Sequence, residues 1–494
     1  LTGGARTVPR RQQTLRAAID WSYDLLSDAE KALLARLSVF AGGCTLDAAE
    51  HVCVGEGLET HDVLDLLAAL GDKSLVLIAE GDGVTRYWLL ETVRQYARDR
   101  LNQSCENGRS QHAHLAYFLH TAEEAGPQLR GPEQQRWLER LEAEHDNMRS
   151  ALAWSSEEDG ESTGGLRLAG ALWFFWLMRG HFREGRDWLS RLLAAAPVSE
   201  ALHARARALR GRGVFAELEG DYVTARAVYE QSIALCRQSG DRGGLAAALN
   251  NLGSVASAQG DVQTALVLWE QSLAIRRELH DVRGTADLLG HLGKAAYNRG
   301  DHASARAMWE ESLAISRELG DAWGVGFSLS NLGRLALDEG DYASSREMLE
   351  ASRNFSHESG DKWGYAWSLM DLGDLAYSQH DYSAARALQQ ECLAIRRDLH
   401  NRPSIADSLE RLAQIALALT RPSGAARIWG AAERLREELG VPLSADERRR
   451  YEGLVASARQ ILADDEDFNV AWREGRAMTL EQAIAYALRT KDDA

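Results

Sequence analysis

Residues 249–261 read LNNLGSVASAQGD, and the same pattern returns at residues 289–301 (LGHLGKAAYNRGD), 329–341 (LSNLGRLALDEGD) and 369–381 (LMDLGDLAYSQHD). The copies are 40 residues apart (289 − 249), and the period extends from about residue 201 to residue 440. In each copy two leucines and an alanine fall at i, i+3 and i+7, so they share one face of a helix; the alanines are Ala256, Ala296, Ala336 and Ala376. A strict period of this length predicts an array of stacked helical hairpins, an architecture that presents binding surfaces to partners.

Each copy then turns into a second helix with its own pattern. A small residue, such as Ala265, is followed four places later by a large one, such as Trp269, which predicts packing of one hairpin against the next. The glycine that follows the second leucine of each copy, such as Gly253, predicts a place where two helices approach too closely for a side chain. The turns themselves are Gly220-Asp221, Gly260-Asp261, Gly300-Asp301, Gly340-Asp341 and His380-Asp381.

These positions resemble the tetratricopeptide repeat, whose small, Leu-Gly, Ala and large-aromatic positions follow in the same order. The usual unit has 34 residues, so about six residues are added here, and we expect them around the second loop, as at Gly240-Asp241, Gly320-Asp321 and Gly360-Asp361. A weaker copy at residues 162–200 and one at residues 401–440, which has Pro422 but no Gly-Asp turn, are predicted to be the atypical end repeats that an array needs.

Composition limits the class of protein. The chain has 494 residues, of which 45% are hydrophobic and 26% charged, with 7 prolines against 43 glycines, as in a helix-rich globular protein. Its formal net charge of −17 disfavours nucleic acid or an anionic membrane as the partner of the whole chain. The longest apolar run, residues 169–178, is shorter than the ~20 residues that cross a bilayer. The five cysteines have no paired spacing, so we expect buried free thiols and a cytoplasmic location.

The first hundred residues predict four helices and then a β-hairpin. Capping residues begin three of the helices: Ser27 with Glu30 as a capping box, Thr45 and Thr60. Two runs of β-branched and aromatic residues on either side of a Gly-Asp-Gly turn predict the hairpin. The predicted helices cover residues 14–26, 28–40, 46–53 and 63–70, and the predicted strands cover residues 74–79 and 85–90. Helices followed by a hairpin are typical of a winged helix.

Four segments carry a closer resemblance to a known family. They are residues 11–53 (RQQTLRAAIDWSYDLLSDAEKALLARLSVFAGGCTLDAAEHVC), 70–76 (LGDKSLV), 86–101 (RYWLLETVRQYARDRL) and the C-terminal stretches 427–462 and 471–488. Together they resemble the bacterial STAND-class signal-transduction ATPases, the NB-ARC-related regulators often named LuxR-type regulators or predicted ATPases. In that family a nucleotide-binding domain precedes the winged helix, the repeat array receives a signal, and the winged helix relays it.

The resemblance implies a nucleotide-binding domain upstream of Leu1, because the chain begins without an initiator methionine and contains no phosphate loop. Gly71-Asp72-Lys73-Ser74 is the nearest approach to such a loop, and it lacks the required glycine spacing. We therefore expect no cofactor in this chain, with ATP and Mg²⁺ bound only by the missing domain.

No catalytic constellation or metal site is predicted. His112, His114 and His120 are close in sequence, but no cysteine or carboxylate pattern completes a ligand set, so solvated or capping histidines are the favoured interpretation. Paired carboxylates such as Glu310-Glu311 fall on helix faces where they are solvated. The chain is therefore predicted not to be an enzyme.

A DNA-binding winged helix is the rival interpretation. The helix before the hairpin would read the groove, yet its polar face carries His61, Asp62, Asp65 and Asp72 against Lys73 alone. Residues 1–104 hold 11 basic and 15 acidic residues, a net charge of 11 − 15 = −4. Since affinity for DNA comes largely from phosphate neutralisation, nucleic acid is an unlikely partner. The basic cluster Arg6, Arg10, Arg11 and Arg16 is interpreted as the connection from the missing domain.

The groove of the array is predicted from columns that change chemistry between copies while the buried columns stay constant. One column reads Ser254, Lys294, Arg334, Asp374, Gln414, and its neighbours contribute aromatic and soft side chains. Such a mixture suits an apolar anchor that carries an acidic group. The predicted partner-binding residues are Lys294, Tyr297, Phe327, Arg334, Trp367, Met370, Asp374 and Tyr377.

The sequence thus predicts an all-α tetratricopeptide superhelix with an N-terminal winged helix that contains a small β-hairpin. The predicted domains are a winged helix (1–104), a helical connector (105–160), the repeat array (161–440) and a C-terminal helical cap (441–494). The function that follows is the non-catalytic sensor and regulatory half of a STAND-type ATPase, which binds a protein, peptide or small-molecule signal and contacts the upstream domain. A free-standing repeat scaffold for protein assembly remains the alternative, and a DNA-binding regulator the less favoured one.

Overall fold

The computed structural model describes residues 10–81, 83–157, 160–197, 201–441, 443, 445–462 and 465–489. The chain divides into two compact units, the first made of residues 1–125, 139–171 and 194–197 and the second of residues 126–138, 172–193 and 198–494. Within the described ranges, every helix is too short or too polar to cross a membrane.

The first unit is the winged helix with helices that follow it in sequence. Its strands β1 (Cys44–Thr45), β2 (Leu77–Gly81) and β3 (Val84–Trp88) form an antiparallel sheet in the order β1-β3-β2. Its helices are α1 (Arg10–Asp24), α2 (Asp28–Leu37), α3 (Leu46–Val52), α4 (Val63–Asp72), α5 (Glu91–Gln103), most of α6 (Asn107–Gln128), part of α7 (Gln134–Ala143), α8 (His145–Ser155) and the start of α9 (Ser162–Arg179).

Two of the three predicted caps begin their helices. Glu30 donates its backbone N–H to Ser27 Oγ at 3.3 Å, and Ser27 N–H donates to Glu30 Oε2 at 2.8 Å, so the capping box is confirmed. Thr45 Oγ1 accepts the Ala48 N–H at 3.2 Å. Thr60 does not cap α4, because it begins a short 3₁₀ turn, Thr60–Asp62, that leads into that helix.

The hairpin begins three residues later than predicted. Ser74 has φ +59°, a left-handed conformation that ends α4, and the N–H groups of Leu75 and Val76 donate back to the Leu70 carbonyl at 3.0 and 3.3 Å. These residues therefore close the helix end, and β2 starts only at Leu77. The third strand, β1, was not predicted, since two residues are too few to show alternation.

The second unit is the repeat array with its C-terminal helices, and the predicted fold class is confirmed. Its helices are α10 (Phe182–Ala195), α11 (Leu202–Glu219), α12 (Tyr222–Ser239), α13 (Arg242–Ala258), α14 (Val262–Glu278), α15 (Val282–Asn298), α16 (His302–Glu318), α17 (Ala322–Asp338), α18 (Tyr342–Ser359), α19 (Lys362–Ser378), α20 (Tyr382–Asp398), α21 (Arg402–Ala418), α22 (Pro422–Leu439), α23 (Ala445–Leu462), α24 (Asp465–Ala477) and α25 (Leu480–Leu488).

The length of the repeat comes from its helices. Helices α13 and α14 have 17 residues each, and the loops on either side of α14, residues 259–261 and 279–281, have the same length. The added residues therefore lie in helical turns, and the second loop itself is no longer than the first. Aspartates cap both helices: Asp261 accepts the Thr264 N–H at 3.1 Å, and Asp241 accepts the Gly244 N–H at 2.7 Å.

The glycine column marks close packing between the two helices of a repeat. A Cβ on Gly253 would lie 2.5 Å from Nε1 of Trp269, and one on Gly293 would lie equally close to Nε1 of Trp309. Both indoles donate to the carbonyl of a residue in the preceding helix at 3.1 Å. Gln389 stands at the tryptophan position of its repeat and donates the same hydrogen bond, at 2.9 Å. It therefore keeps the donor of the indole although it is a smaller side chain.

Early repeats in the second unit contact late ones. A Cβ on Gly180 would lie 3.1 Å from Leu399, and one on Gly220 would lie 2.5 Å from Leu439 and 3.3 Å from Pro403. The leucine contacts join residues the same distance apart in sequence, 399 − 180 = 219 and 439 − 220 = 219. Helices α11 and α21 are also neighbours. The array therefore completes a turn of its superhelix and packs on itself.

The C-terminal helices cover the last repeat. A Cβ on Gly475 would lie 1.9 Å from the Arg427 carbonyl oxygen, so α24 crosses α22 with its backbone in contact. Thr479 and Gln482 form the predicted capping box of α25, with bonds of 2.9 and 3.2 Å. The other predicted box begins at Ser444, which lies outside the described residues.

Candidate binding groove

A cavity of about 290 Å³ opens between the first helices of three repeats, α17, α19 and α21, and the C-terminal helix α23. The repeat helices contribute residues from the two variable columns nearest the first turn, and α23 supplies charged and aromatic side chains opposite them. The lining includes Arg334, Leu337, Asp374, Tyr377, Arg411, Gln414, Glu447, Arg450, Tyr451 and Leu454. We call this the groove cavity.

A ladder of ion pairs runs from repeat to repeat along its wall. Arg334 Nη1 lies 2.8 Å from Asp371 Oδ1 and 3.4 Å from Asp374 Oδ2, and Arg411 Nε lies 3.0 Å from Asp374. Asp371 is completely buried, and Ser330 Oγ donates to its second oxygen at 2.7 Å. Burial alone would lower the pKa of Arg334, but Asp371 and Asp374 raise it well above its usual value. The guanidinium is thus held in place and fully charged.

Lys294 stands at the start of this ladder without a carboxylate. Its column successor Arg334 meets Asp371 in the next repeat (371 − 334 = 37), whereas the residue at the same offset from Lys294 is Asn331. Burial and the nearby Arg334 lower the pKa of Lys294 to about 8. Its Nζ lies 5.0 Å from the centre of the Tyr297 ring, and no described carboxylate pairs with it.

Two tyrosines from the predicted set lie at or beside the groove cavity. The Tyr297 hydroxyl donates to Asp338, an acid at the rim. Tyr377 lines the cavity and packs at a tilt against Tyr382, with ring centres 5.3 Å apart. Of the predicted residues, Arg334, Asp374 and Tyr377 line the groove cavity. Tyr297 and Lys294 lie beside it, through the contact of Tyr297 with Asp338 and of Lys294 with the Tyr297 ring.

The other three predicted residues lie elsewhere. Phe327 stacks on Trp323, with ring centres 5.6 Å apart, and Trp367 packs on Trp363 at 5.3 Å; both are half-buried. Met370 is 3% exposed, and its sulfur lies 3.2 Å from Nη2 of Arg396, so it packs inside the array and offers no open surface. These three side chains do not line the groove cavity.

The segment between α6 and α7 fills the neighbouring part of the array. Arg130 donates to both oxygens of Asp287 at 2.8 and 2.9 Å and to Asp321 Oδ2 at 2.7 Å, and its guanidinium lies 4.6 Å from the centre of the Trp323 ring. Asp287 belongs to the same variable column as Phe327 and Trp367. Residues 126–138 group with the array, so the predicted connector, 105–160, is divided between the two units.

Sequence reasoning missed several residues of this region. Asp371 and Arg411 were not predicted, because each precedes a leucine of a buried column. A charged side chain at such a position is usually solvated on the helix surface. Opposite charges at a spacing of 37 residues could have revealed both, since the spacing is one repeat minus one helical turn. Arg130 and the α23 residues gave no signal, because they come from outside the periodic sequence.

The winged helix has an acidic and apolar outer surface where the rival interpretation requires a basic one. Asp65 is exposed on α4 beside Leu64, which is 49% exposed. The basic residue of that face, Lys73, forms an ion pair with Glu30. Ile78 of the wing, also 49% exposed, lies against the end of α4 at Gly71. Of the basic cluster, Arg6 and the side chains of Arg10 and Arg11 lie outside the described residues.

The three histidines that are close in sequence make separate contacts. His112 pairs with Glu161 at 3.0 Å and His120 with Glu124 at 3.3 Å, whereas burial lowers the pKa of His114 to about 3 between Phe40 and Phe118. All five cysteines are free thiols; four are buried as expected, and Cys105 is exposed.

Family models match both parts of the chain. Residues 204–278, 284–358 and 324–398 match the tetratricopeptide repeat, and residues 26–102 match the winged helix-turn-helix domain. Proteins of Mycobacterium tuberculosis and Mycobacterium bovis, provisionally named HTH-type transcriptional regulators, are each 40% identical to this chain over 259 residues. The match covers 50% of this chain and 28% of each relative, so the chain spans well under half the length of these relatives.

Two solved structures share the fold. One is a Pyrococcus horikoshii signal transduction ATPase with numerous domains, a STAND protein with a tetratricopeptide repeat sensor; its TM-score is 0.50 at 15% identity, over 95% of this chain and 65% of that one. The other is a Rap protein complexed with competence and sporulation factor, with a TM-score of 0.53 at 13% identity, over 76% of this chain and 99% of that one. At these identities the similarity concerns the fold.

Proposed function

We propose that this chain is the non-catalytic sensor and regulatory portion of a STAND-type signal-transduction ATPase, and that its array binds a peptide or a protein segment in the groove cavity. The Lys294 ammonium supports this proposal most directly. It is half-buried, its pKa is lowered to about 8, and it has no carboxylate partner among the described residues. A desolvated charge left without a partner is costly, and a ligand that brings an anion removes that cost.

The chemistry of the ligand follows from the neighbours of Lys294. Arg334 and Arg411 are already neutralised by Asp371 and Asp374, so they position the wall. Lys294 beside the cavity and Arg450 in its lining are the cations that form no ion pair with a described carboxylate, and they are the docking charges. Leu337 and Tyr377 offer apolar contact in the lining. The ligand is therefore a peptide with an acidic group beside an apolar side chain.

The winged helix in this proposal contacts protein and relays the signal to an upstream nucleotide-binding domain, which alone would bind ATP and Mg²⁺. Exposed Leu64 and Ile78 beside Asp65 support a protein contact, because phosphates would face carboxylates on this surface. A free-standing scaffold would use the same groove without this relay. The two differ in whether the groove ligand changes nucleotide turnover by the parent protein.

The test uses three pools of synthetic hexapeptides with equal apolar content, carrying two glutamates, two glutamines or two lysines, titrated into the intact chain by fluorescence polarisation. The acidic pool is expected to bind, and Lys294→Gln to weaken its binding at least tenfold. Arg299→Gln is the matched control, because Arg299 is exposed just after the same helix. Failure of all three pools would reject the peptide sensor, whereas preference for the neutral or basic pool would reject only the role of Lys294.

A DNA-binding regulator is the second candidate, favoured by the names of the mycobacterial relatives. The acidic α4 and the pairing of Lys73 with Glu30 oppose it. We expect no gel shift of duplex DNA at about 0.15 M salt, where non-specific binders have Kd values of about 10⁻⁴ to 10⁻⁶ M. A clear shift that weakens when Arg10 and Arg11 become alanine would favour DNA binding instead.

A further inference from the structure

A second cavity, of about 330 Å³, lies between α20, α21, α22 and α25, where the last repeats meet the C-terminal helix. Four arginines line it: Arg386, Arg421, Arg427 and Arg489. Among the described residues, its lining includes no carboxylate. In a chain of net charge −17, four guanidiniums at one cavity are a local reversal of sign.

Only Arg427 is neutralised within the described part of the chain. Its Nε lies 3.0 Å from Glu474 Oε2, and its Nη1 donates to the Tyr486 hydroxyl at 2.8 Å. Arg386 donates to the Arg489 backbone carbonyl, a neutral acceptor. Arg386, Arg421 and Arg489 form no ion pair with any described carboxylate. Three positive charges at this cavity are thus uncompensated by the carboxylates that the structure describes.

The positive charges persist at neutral pH. Burial and the like charge of Arg421 lower the pKa of Arg386, but a guanidinium stays protonated over the physiological range. Tyr486 holds two of them in place, since Arg427 and Arg489 lie 5.2 and 5.7 Å from its ring centre. Solvated surface arginines would give a similar charge without a cavity; here the charges border a partly open cavity.

The rest of the lining is apolar. Leu412, Ile415, Leu419 and Ile428 form it, together with the aromatic face of Tyr486. The volume falls at the lower end of the ~300–1,000 Å³ found for small-molecule sites. An apolar floor below several cationic donors matches a ligand with two chemically different ends.

We propose that this cavity binds a small amphipathic anion, a carboxylate or phosphate monoester on a short apolar body, with its head held by Arg386, Arg421 and Arg489 and its tail on Leu412, Leu419 and Ile428. The site is separate in chemistry from the groove cavity and does not depend on the peptide-sensing role. It places a small-molecule site at the end of the array that the C-terminal helices cover.

The experiment titrates the intact chain with hexanoate and hexyl phosphate by isothermal calorimetry. Hexan-1-ol, hexylammonium and inorganic phosphate are the matched probes that lack the charge, reverse it or lack the tail. At least one of the two amphipathic anions is expected to bind at least tenfold more tightly than all three, and the better of the two identifies the head group. If hexan-1-ol binds as tightly as the better anion, the cavity recognises only the apolar tail, and the proposal is overturned.

Arg386→Met and Arg421→Met are each expected to weaken binding of the better probe at least tenfold. Arg402→Met is the control, since Arg402 is already paired with Glu438 at 2.8 Å on an exposed surface and should leave binding unchanged. Unchanged binding in both cavity variants would overturn the proposal.

Two further measurements keep the test independent of how well the variants fold. Intermolecular nuclear Overhauser effects in the unmodified chain should join the hexyl protons to the methyl groups of Leu419 and Ile428, and contacts to another region would overturn the assignment. The sequence beyond Arg489 contains Asp492 and Asp493. Binding seen only in a chain that ends at Thr490 would assign the cavity to that tail and overturn the proposal of a free ligand.

Discussion

Replacing Arg130 with methionine should release the segment between α6 and α7 from the array. The guanidinium is shared by Asp287 and Asp321, whose side chains are 19% and 2% exposed. Methionine keeps much of the apolar stem and its contact with Trp323 but removes the three hydrogen bonds that Arg130 donates to the two acids. The remaining cation near Asp321 is Arg283, whose Nε is 3.9 Å away, too far for a hydrogen bond.

The size of the loss in stability follows from leaving two buried carboxylates without their cation. Breaking a buried ion pair by removing one partner costs about 3 to 5 kcal/mol. Burial alone would raise the pKa of Asp287, and Arg130 keeps it below its usual value. That contribution to stability is present above pH 3.8 and is lost as the pH falls through the lowered folded-state pKa. The effect of Arg130→Met should therefore be largest near neutral pH and shrink in acid.

Hydrogen exchange measures the result locally, without assuming two-state unfolding of a chain with two units. The amides of Gly131 and Gln134, which donate at 3.1 and 3.0 Å within the segment, should exchange roughly 200- to 4,000-fold faster, the ratio that 3 to 5 kcal/mol gives. Arg136→Met is the control, since Arg136 is 82% exposed and pairs only with Glu133. Exchange within about threefold of the unmodified chain at pH 7 would refute the reasoning.

Three further predictions test the energetics of the array. Asp361→Asn should stabilise the chain at pH 7 to 8 by up to about 3 kcal/mol. Burial raises the pKa of Asp361 from 3.8 to about 6, so the ionised carboxylate costs stability as the pH rises through that range. Thermal melts should therefore show the gain at pH 7 to 8 and none near pH 3. Asp321→Asn is its control and should destabilise instead, because that carboxylate has a cation. Gly253→Ala should cost about 1 to 3 kcal/mol in urea unfolding by pressing on an indole, whereas Gly243→Ala in the same helix meets nothing closer than 3.8 Å and should cost nothing. The Lys294 ammonium, followed by NMR after reductive methylation, should titrate near pH 8, and a value near 10.5 would contradict its desolvation.

Periodicity made most of the array predictable from one sequence. Five copies act as an internal alignment, so the buried leucines, the glycines and the capping aspartates were all visible as constant columns. Caps were predictable in the winged helix too, where the Ser27 and Thr45 side chains bond to backbone groups only three residues away. Local chemistry of this kind can be read from sequence because both partners lie in one short segment.

Tertiary context explains what was missed. Met370 was assigned to the groove, but its column faces the core: Asn250 and Ser330 are buried at the same position, and the Met370 sulfur contacts Arg396. A second conserved-looking column also escaped notice: Ser272 and Ser312 each donate to a carbonyl 26 residues earlier, at 2.7 and 2.9 Å, and Cys392 takes the same place. Hydroxyls on a buried face look like breaks in an apolar stripe until the partner carbonyl is known.

Gly180 contacts Leu399 and Gly220 contacts Leu439, so each early repeat packs on a late one across one full turn of the superhelix. These contacts require a fixed number of hairpins in the turn. Linear repeat proteins can gain or lose a unit because each unit touches only its neighbours. In this chain one extra hairpin between residues 220 and 399 would shift the late repeats by one unit. Gly180 and Gly220 would then no longer face Leu399 and Leu439. Residues along the groove are therefore free to change with the ligand, while the number of hairpins is fixed by the closure.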